Sequence, residues 1–477
     1  MRITMQALTP EQVDRIHAQT LELLWTHGIE LNCEEARATF AKHGARVERE
    51  QVYIPPKLVE EAVKAAPSRF TLHARDVKKT IEVGKGCRTA ILACSGIPNI
   101  IDKSGNQHQV TFEHYKDMLR MTQTSPVIGV VNSGSLYPTS ISSQHSLYLQ
   151  MLLTLSMTDL PFLGQTEGKA VSKDCIEFAR ITTGISDKVV AAGICNSLSP
   201  MAWDKSMLEG IRAYAEEGQA TNISCCSLAG ATGPIYLMGG ILQANAEVLA
   251  GITYSQLICP GAPVIYGTTS SVMDMRSMGL SLGTPEYSLI STGCSQMAAF
   301  YDIPFRGGGG LSDSKSIDAQ AGIEAALNLM VSLNNGIDFM IQGIGVLEAY
   351  MSMSLSKWVM DEDIVLRIRR VQDGLGEYPD DLTQVIADGF DAGNYLSHES
   401  TMMEFRTELF QPMLADRRGY ELWNAEGKTY SDMANECVER RLASYKMPEL
   451  DSDAKRHIEC IIEKRLGYSI AEEAKAI

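Results

Sequence analysis

The chain has 477 residues with 42 Lys and Arg against 58 Asp and Glu, a formal net charge of -16. Its length suits roughly three units of 100 to 200 residues, or one large barrel with extensions. An acidic balance makes a phosphate-tracking surface a local exception, so nucleic acid is not an expected partner. With 45% apolar and 21% charged residues and 39 Gly spread along the chain, the composition is that of a folded globular protein.

The start, MRITMQALTPEQVDRIH, lacks the basic-then-apolar order of a secretory leader. The most apolar stretch, Leu237 to Ile258, is interrupted by Gln243, Asn245 and Glu247, so no membrane association is expected and a cytoplasmic location is. Eleven Cys without Cys-x-x-Cys spacing read as reduced thiols.

In chain order, Thr9 caps a helix with Pro10 at its first position and Gln12 reaching back. Gly28 stops that helix after about His27. Short strands and two helical patterns follow, and residues 1–88 are expected to form an α+β cap.

From residue 89 short apolar runs alternate with helical patterns: Ala90 to Ser95, Val127 to Asn132, Phe162 to Thr166, Val189 to Ile194, Thr221 to Cys226, Pro263 to Gly267, Ile303 to Gly307 and Phe339 to Gly343. Eight buried runs with intervening helices predict a parallel sheet closed as a (β/α)8 TIM barrel over 89–345. A doubly wound open sheet is the structural alternative. Residues 346–477 turn charged and helical and are expected to form a C-terminal extension.

A barrel places its chemistry at the strand ends. That rule selects Ser95, Asn132, Gln165, Glu167, Asn196, Cys226, Tyr266, Arg306, Gly310, Gln342 and Glu348. The run Arg306 to Gly310 lacks the Gly-Lys-Ser/Thr ending of a phosphate loop. Four glycines either let a ligand approach the backbone or make a tight turn, with Ser312 or Asp313 capping the next helix. Alternation points Cys225 and Cys226 to opposite faces, and no third ligand at metal spacing accompanies them, so no metal site is expected. Radical-cluster, nucleophile-elbow and dinucleotide motifs are absent. Paired carboxylates from Glu167, Glu286, Asp313 and Glu348 leave a glycoside hydrolase as an alternative.

Several segments, in order along the chain, resemble the trimethylamine methyltransferase family, including its members without pyrrolysine that act on quaternary amines. They are Leu8-Thr9-Pro10-Glu11-Gln12 with Ile16-His17; Ile54-Pro55-Pro56; Met273-Asp274-Met275-Arg276 with Gly283-Thr284-Pro285-Glu286; Gly310-Leu311-Ser312-Asp313-Ser314-Lys315 with Asp318-Ala319-Gln320; and Met360-Asp361-Glu362-Asp363-Ile364. The resemblance implies a TIM barrel that moves an N-methyl group from a small amine to the Co(I) corrinoid of a separate small protein. Because no motif for holding a corrinoid, zinc or nucleotide is found, no cofactor of its own is expected in this chain. The trimethylamine enzymes carry pyrrolysine near the position of Leu311, where this sequence has an ordinary residue, which points to a quaternary amine.

A quaternary ammonium methyl is already electrophilic and its amine leaves without a proton, so no catalytic side chain is expected. The protein binds and aims. Aromatic faces and a carboxylate suit the ammonium, and the expected substrate-binding set is Glu348, Arg306, Tyr266, Phe305, Tyr350, Gln342, Asn196, Glu167 and Leu311. Glu348 or Glu167 would face the ammonium and Arg306 a carboxylate. Expected substrates are glycine betaine, proline betaine, carnitine or γ-butyrobetaine, and the expected assembly is a homo-oligomer. A quaternary-amine binding protein without turnover is the rival reading.

Overall fold

A computed structural model describes residues 5–376, 378 and 381–467. The ends of the expected cap and extension, residues 1–4 and 468–477, lie outside the described residues.

Eight parallel strands stand in one ladder in chain order: β1 (Ala90–Ile91), β2 (Val131–Asn132), β3 (Phe162–Gly164), β4 (Ala191–Asn196), β5 (Ala220–Cys225), β6 (Val264–Thr268), β7 (Phe305–Gly307) and β8 (Phe339–Met340). β8 pairs back to β1. The seam between β1 and β2 is joined by the Gly129 N–H donating to Ile91 O at 2.9 Å and by a parallel bridge between Ile97 and Leu136. The expected TIM barrel is therefore the observed fold, and the open sheet is not.

Each strand is followed by a helix: α1 (Phe112–Gln123), α2 (Ser143–Met157), α3 (Gly168–Thr183), α4 (Lys205–Glu216), α5 (Leu237–Ile258), α6 (Pro285–Phe300), α7 (Ala319–Asn334) and α8 (Leu355–Asp373). The alternation thus runs to Asp373, and α8 packs on α7.

Strand alternation divides the side chains into two sets. Ala192, Ala220, Ile265 and Phe339 fill the barrel interior with Phe70, Leu72 and Val83. Those last three belong to the hairpin Arg69–Leu72/Ile81–Gly84, which plugs the strand-start end. Ile223 and Cys225, at odd positions of β5, face outward to α5.

The N-terminal helix Pro10–Thr26 has the expected capping box, with the Thr9 N–H donating to Gln12 Oε1 at 2.8 Å and the Gln12 N–H to Thr9 Oγ1 at 3.3 Å. It packs with helix Pro56–Ala65 on the outside of α5. This covering explains why α5 is apolar around its circumference: it lies between the barrel and the cap. Its polar interruptions serve as ties. Asn245 donates to Thr20 and Tyr301 hydroxyls and accepts from Tyr266, while buried Glu247 accepts from Ser197, Ser199 and Met201 N. Among the described residues no helix is long and apolar enough to cross a membrane.

Candidate active site

The strand ends gather two groups of polar side chains on opposite walls. On the first wall Arg306 of β7 points inward. Its nearest charged or polar neighbours include Tyr350, Tyr287 and Cys226, and it is only 2% exposed. Its Nε and Nη1 have no hydrogen-bond partner among the described residues, and no carboxylate pairs with it. Burial pulls the guanidinium below its ordinary pKa. The Tyr350 hydroxyl and Asn222 Nδ2 are likewise buried without a partner. Four of the nine buried side-chain atoms without a partner among the described residues thus belong to this wall, and each costs about 1 to 3 kcal/mol unless something else satisfies it.

Gly267 makes room for the side chains of Ser224 and Asn222 on this wall. A Cβ there would fall 1.9 Å from Ser224 Oγ and 2.4 Å from Asn222 Oδ1. Tyr287 enters from the first turn of α6, whose N-cap Thr284 and first residue Pro285 fix the helix start, and its hydroxyl accepts from the Gly308 N–H at 2.8 Å. Tyr350 arrives by a rarer device: Glu348, Ala349 and Tyr350 have φ of 50°, 46° and 77°. Left-handed backbone at three successive non-glycine residues is strained, and strain of this kind gathers at functional sites.

The second wall lies four strands away, across the barrel. Glu167 follows β3; burial raises its carboxyl above the ordinary carboxylate range, opposed by backbone hydrogen bonds including that from the Thr166 N–H at 3.1 Å. Its charge is felt by Tyr137, and Gln165 can turn its amide toward it. Asn196, at the end of β4, is exposed beside them in the ladder.

The structure corrects several expectations. Tyr266 and Phe305 sit one residue out of phase with the inward set and point outward: the Tyr266 hydroxyl donates to Asn245 Oδ1 at 3.0 Å, and the two rings pack 6.2 Å apart behind the barrel. Glu348 faces away from the mouth and accepts from Gln107 Nε2 and Ser352 Oγ, each at 2.7 Å, because the left-handed turn that brings Tyr350 in sends Glu348 out. Gln342 is used up as a clasp, its amide accepting from Ser95 N and donating to Ser95 O, both at 2.8 Å. Leu311 is fully buried against Gly308.

The glycine run is a packed turn. A Cβ on Gly308 would meet Tyr287 Oη at 2.7 Å, and one on Gly310 would meet Asp361 Oδ2 at 2.7 Å. The helix beyond it is capped by Asp318 and not by Ser312 or Asp313: the Ser312 hydroxyl donates to Glu324, and the Asp313 carboxylate accepts from the Leu282 N–H. Cys225 and Cys226 diverge as alternation requires, Cys225 toward Glu247 at 3.1 Å and Cys226 toward Arg306.

Tyr287, Asn222 and Tyr137 stand with these two groups and were not among the expected residues. Alternation backward from Cys226 points to Asn222; Tyr287 and Tyr137 lie off the strands and carried no local signal. A cleft of about 520 Å³ lined by His17, Phe300 and Tyr301 lies between the cap and α6. It holds none of the strand-end residues, so we place the chemistry at the mouth.

The chain matches the family model described as trimethylamine methyltransferase (MTTB) over residues 2–468. It is 36% identical over 472 residues to a glycine betaine methyltransferase of Desulfitobacterium hafniense, with 98% of each chain covered. A proline betaine:corrinoid methyltransferase of Eubacterium limosum is 31% identical over 473 residues, covering 94% of this chain and 95% of that one. The monomethylamine methyltransferase of Methanosarcina barkeri shares the fold, with a TM-score of 0.51 at 10% identity over 93% of this chain and 90% of that one.

Proposed function

We propose, from the premise that this chain belongs to the trimethylamine methyltransferase family, that it transfers an N-methyl group from a carboxylate-bearing quaternary amine to the corrinoid of a separate protein. The substrate class is that of glycine betaine, proline betaine, carnitine and γ-butyrobetaine. The reading is carried by one observation: a buried guanidinium, Arg306, with two unpaired nitrogens at the barrel mouth. Burying an unpaired cation is unfavourable, so the place opposite it belongs to an anion that comes and goes.

A carboxylate fits the fork of a guanidinium. Tyr287 and Tyr350 flank it, and Asn222 adds an unpaired amide. Glu167 and Tyr137, on the far wall, suit the other end of a betaine: the carboxylate lowers the potential there and a tyrosine ring can take a methylated ammonium on its face. Asn196 completes the rim on that side. The expected carboxylate partner Arg306 and expected anion Glu167 thus remain, with Glu348 given up.

The corrinoid partner supplies the nucleophile, a Co(I) centre that takes the methyl group as the amine departs neutral. This chain binds the betaine by its carboxylate, holds the ammonium toward the open mouth and strips its water. No proton has to move, so no acid or base is assigned. We assign the protein to the cytoplasm as a homo-oligomer without a corrinoid of its own.

The test is methylation of a Co(I) corrinoid protein by the purified chain with a panel of betaines, choline and trimethylamine. A betaine should support turnover and trimethylamine far less. Binding of betaines with no turnover would leave the binding-protein reading; turnover of a glycoside alone would leave the hydrolase.

A further inference from the structure

Beyond α8 the chain forms a helical hairpin of α9 (Leu382–Ala392) and α10 (Glu399–Glu408). It is built to hold its own shape. Tyr395 lies so close to Gly389 that a Cβ there would fall 2.0 Å from its ring, its hydroxyl donates to Ile386 O at 3.1 Å, and His398 stands 3.6 Å from Asp388. Arg370, near the end of α8, ties it to the barrel by donating to Gly374 O at 2.6 Å and Glu408 O at 3.0 Å.

Yet the hairpin buries almost none of its apolar surface. α9 buries only Gly389 and α10 buries no residue. Leu382, Ile386 and Phe390, spaced four apart and so on one helix face, are 46%, 62% and 83% exposed. At the start of the helix Leu382, with Val385 one turn on, also lines a groove of about 430 Å³ that opens between the two helices against Met403, Phe405 and Leu409. Among the described residues eleven large apolar side chains from Leu375 to Leu409 are exposed. A monomer rarely shows a contiguous apolar patch beyond a few hundred Å². Eleven such side chains present on the order of 1,000 Å², comparable with the roughly 800 Å² each partner gives to a stable interface.

We propose that this hairpin is a self-association arm, covered in solution by the arm of a second copy of the chain. Ile386 and Phe390 from each copy seat in the groove of the other about a two-fold axis, which satisfies both surfaces with one contact type. Position decides the occupant. A corrinoid protein must reach the mouth, whereas the arm leaves the opposite end of the barrel: Gln372, beside it, donates to Leu333 O at the end of α7, and Arg369 feels Arg88, just before β1. Choosing a second copy over the corrinoid protein rests on placing methyl transfer at the mouth.

The test is the mass of the full chain by sedimentation equilibrium, without substrate or corrinoid. The wild type should exceed the 52.2 kDa of one chain by a factor of two or more. An Ile386→Glu/Phe390→Glu variant should fall to the single-chain mass with its circular dichroism unchanged, and Val77→Glu, at a residue 78% exposed elsewhere, should keep the wild-type mass. A single-chain wild type, or a double variant that keeps the wild-type mass, overturns the proposal. So does a wild type that gains mass only when a corrinoid protein is added. Because mass is read without turnover, an assembled but inactive protein leaves the arm standing and sinks the proposed methyl transfer instead.

Discussion

Two buried cations flank the glycine-rich corner of the barrel, in opposite surroundings. Behind the turn, Lys357 donates to both Asp361 oxygens at 2.6 Å and to Gly310 O at 3.0 Å, and Asp361 also accepts from the Gly345 N–H at 2.8 Å. In front of it, Arg306 leaves Nε and Nη1 unpaired. Both are desolvated, so burial alone separates nothing. What differs is satisfaction: a closed network is scaffold, and an open one is a place kept for a ligand.

The largest effect is expected behind the turn. Lys357→Met leaves the Asp361 carboxyl buried without its cation and should cost about 3 to 5 kcal/mol in urea unfolding. Lys357→Met/Asp361→Leu should recover most of that loss. Equal losses in both variants would mean that the pair is not what holds the corner.

In front of the turn the signs reverse. Arg306→Ala should leave stability unchanged or raised while weakening carboxylate-bearing betaines by about 1.5 to 3 kcal/mol, ten- to over a hundred-fold. Choline, which has no carboxylate, should be affected much less. Calorimetric titration with both ligands decides it, and parallel losses would remove Arg306 from the carboxylate end.

A smaller effect is expected across the mouth. Burial raises the Glu167 carboxyl above the ordinary 4.5, so its ionised form is penalised in the fold. A group whose folded pKa is raised contributes stability below its unfolded pKa and loses it as pH rises through the folded one. Glu167→Gln should therefore unfold at a higher temperature than the wild type at pH 7, and the two should converge below about 4.5. For binding, protonation removes the charge opposite the ammonium, so the KM for a betaine should rise as pH falls through the raised pKa in the wild type and stay flatter in the variant. A pH profile of KM identical in both would exclude Glu167 from the cation end.

The smallest effect belongs to Glu348. Glu348→Gln should change betaine affinity less than about two-fold and cost only the roughly 1 kcal/mol of a side-chain hydrogen bond in the pairs with Gln107 and Ser352. A large loss of affinity would reverse the correction made to that residue.

These contrasts also explain what could be read from the sequence. The eight strands were legible because continuous apolar runs followed by helical periodicity depend on local pattern alone. Parity within a run was not. Tyr266 and Phe305 belong to the right strands but occupy the outward register, and a one-residue shift exchanges the barrel interior for the helix layer. Arg306, paired with the inward Phe339, occupies the inward register. Asp361, Glu362 and Asp363 were legible only as part of a charged, helical C-terminal extension. Each is buried on a different partner, Asp361 on Lys357, Glu362 on Trp358 and Arg441, Asp363 on Arg367 and Tyr430. Periodicity cannot anticipate that, because the partners come from as far away as residue 441.

The turn at Glu348 to Tyr350 has a consequence for how this barrel can change its diet. Each left-handed residue other than glycine costs roughly 1 to 2 kcal/mol, so Ala349→Gly is a substitution the backbone already favours. It would relax the segment and free Tyr350 to swing away from Arg306, enlarging the mouth without disturbing any strand. Selection for a bulkier betaine would meet little resistance there. The turn is a ready adjustment point in an otherwise rigid wall.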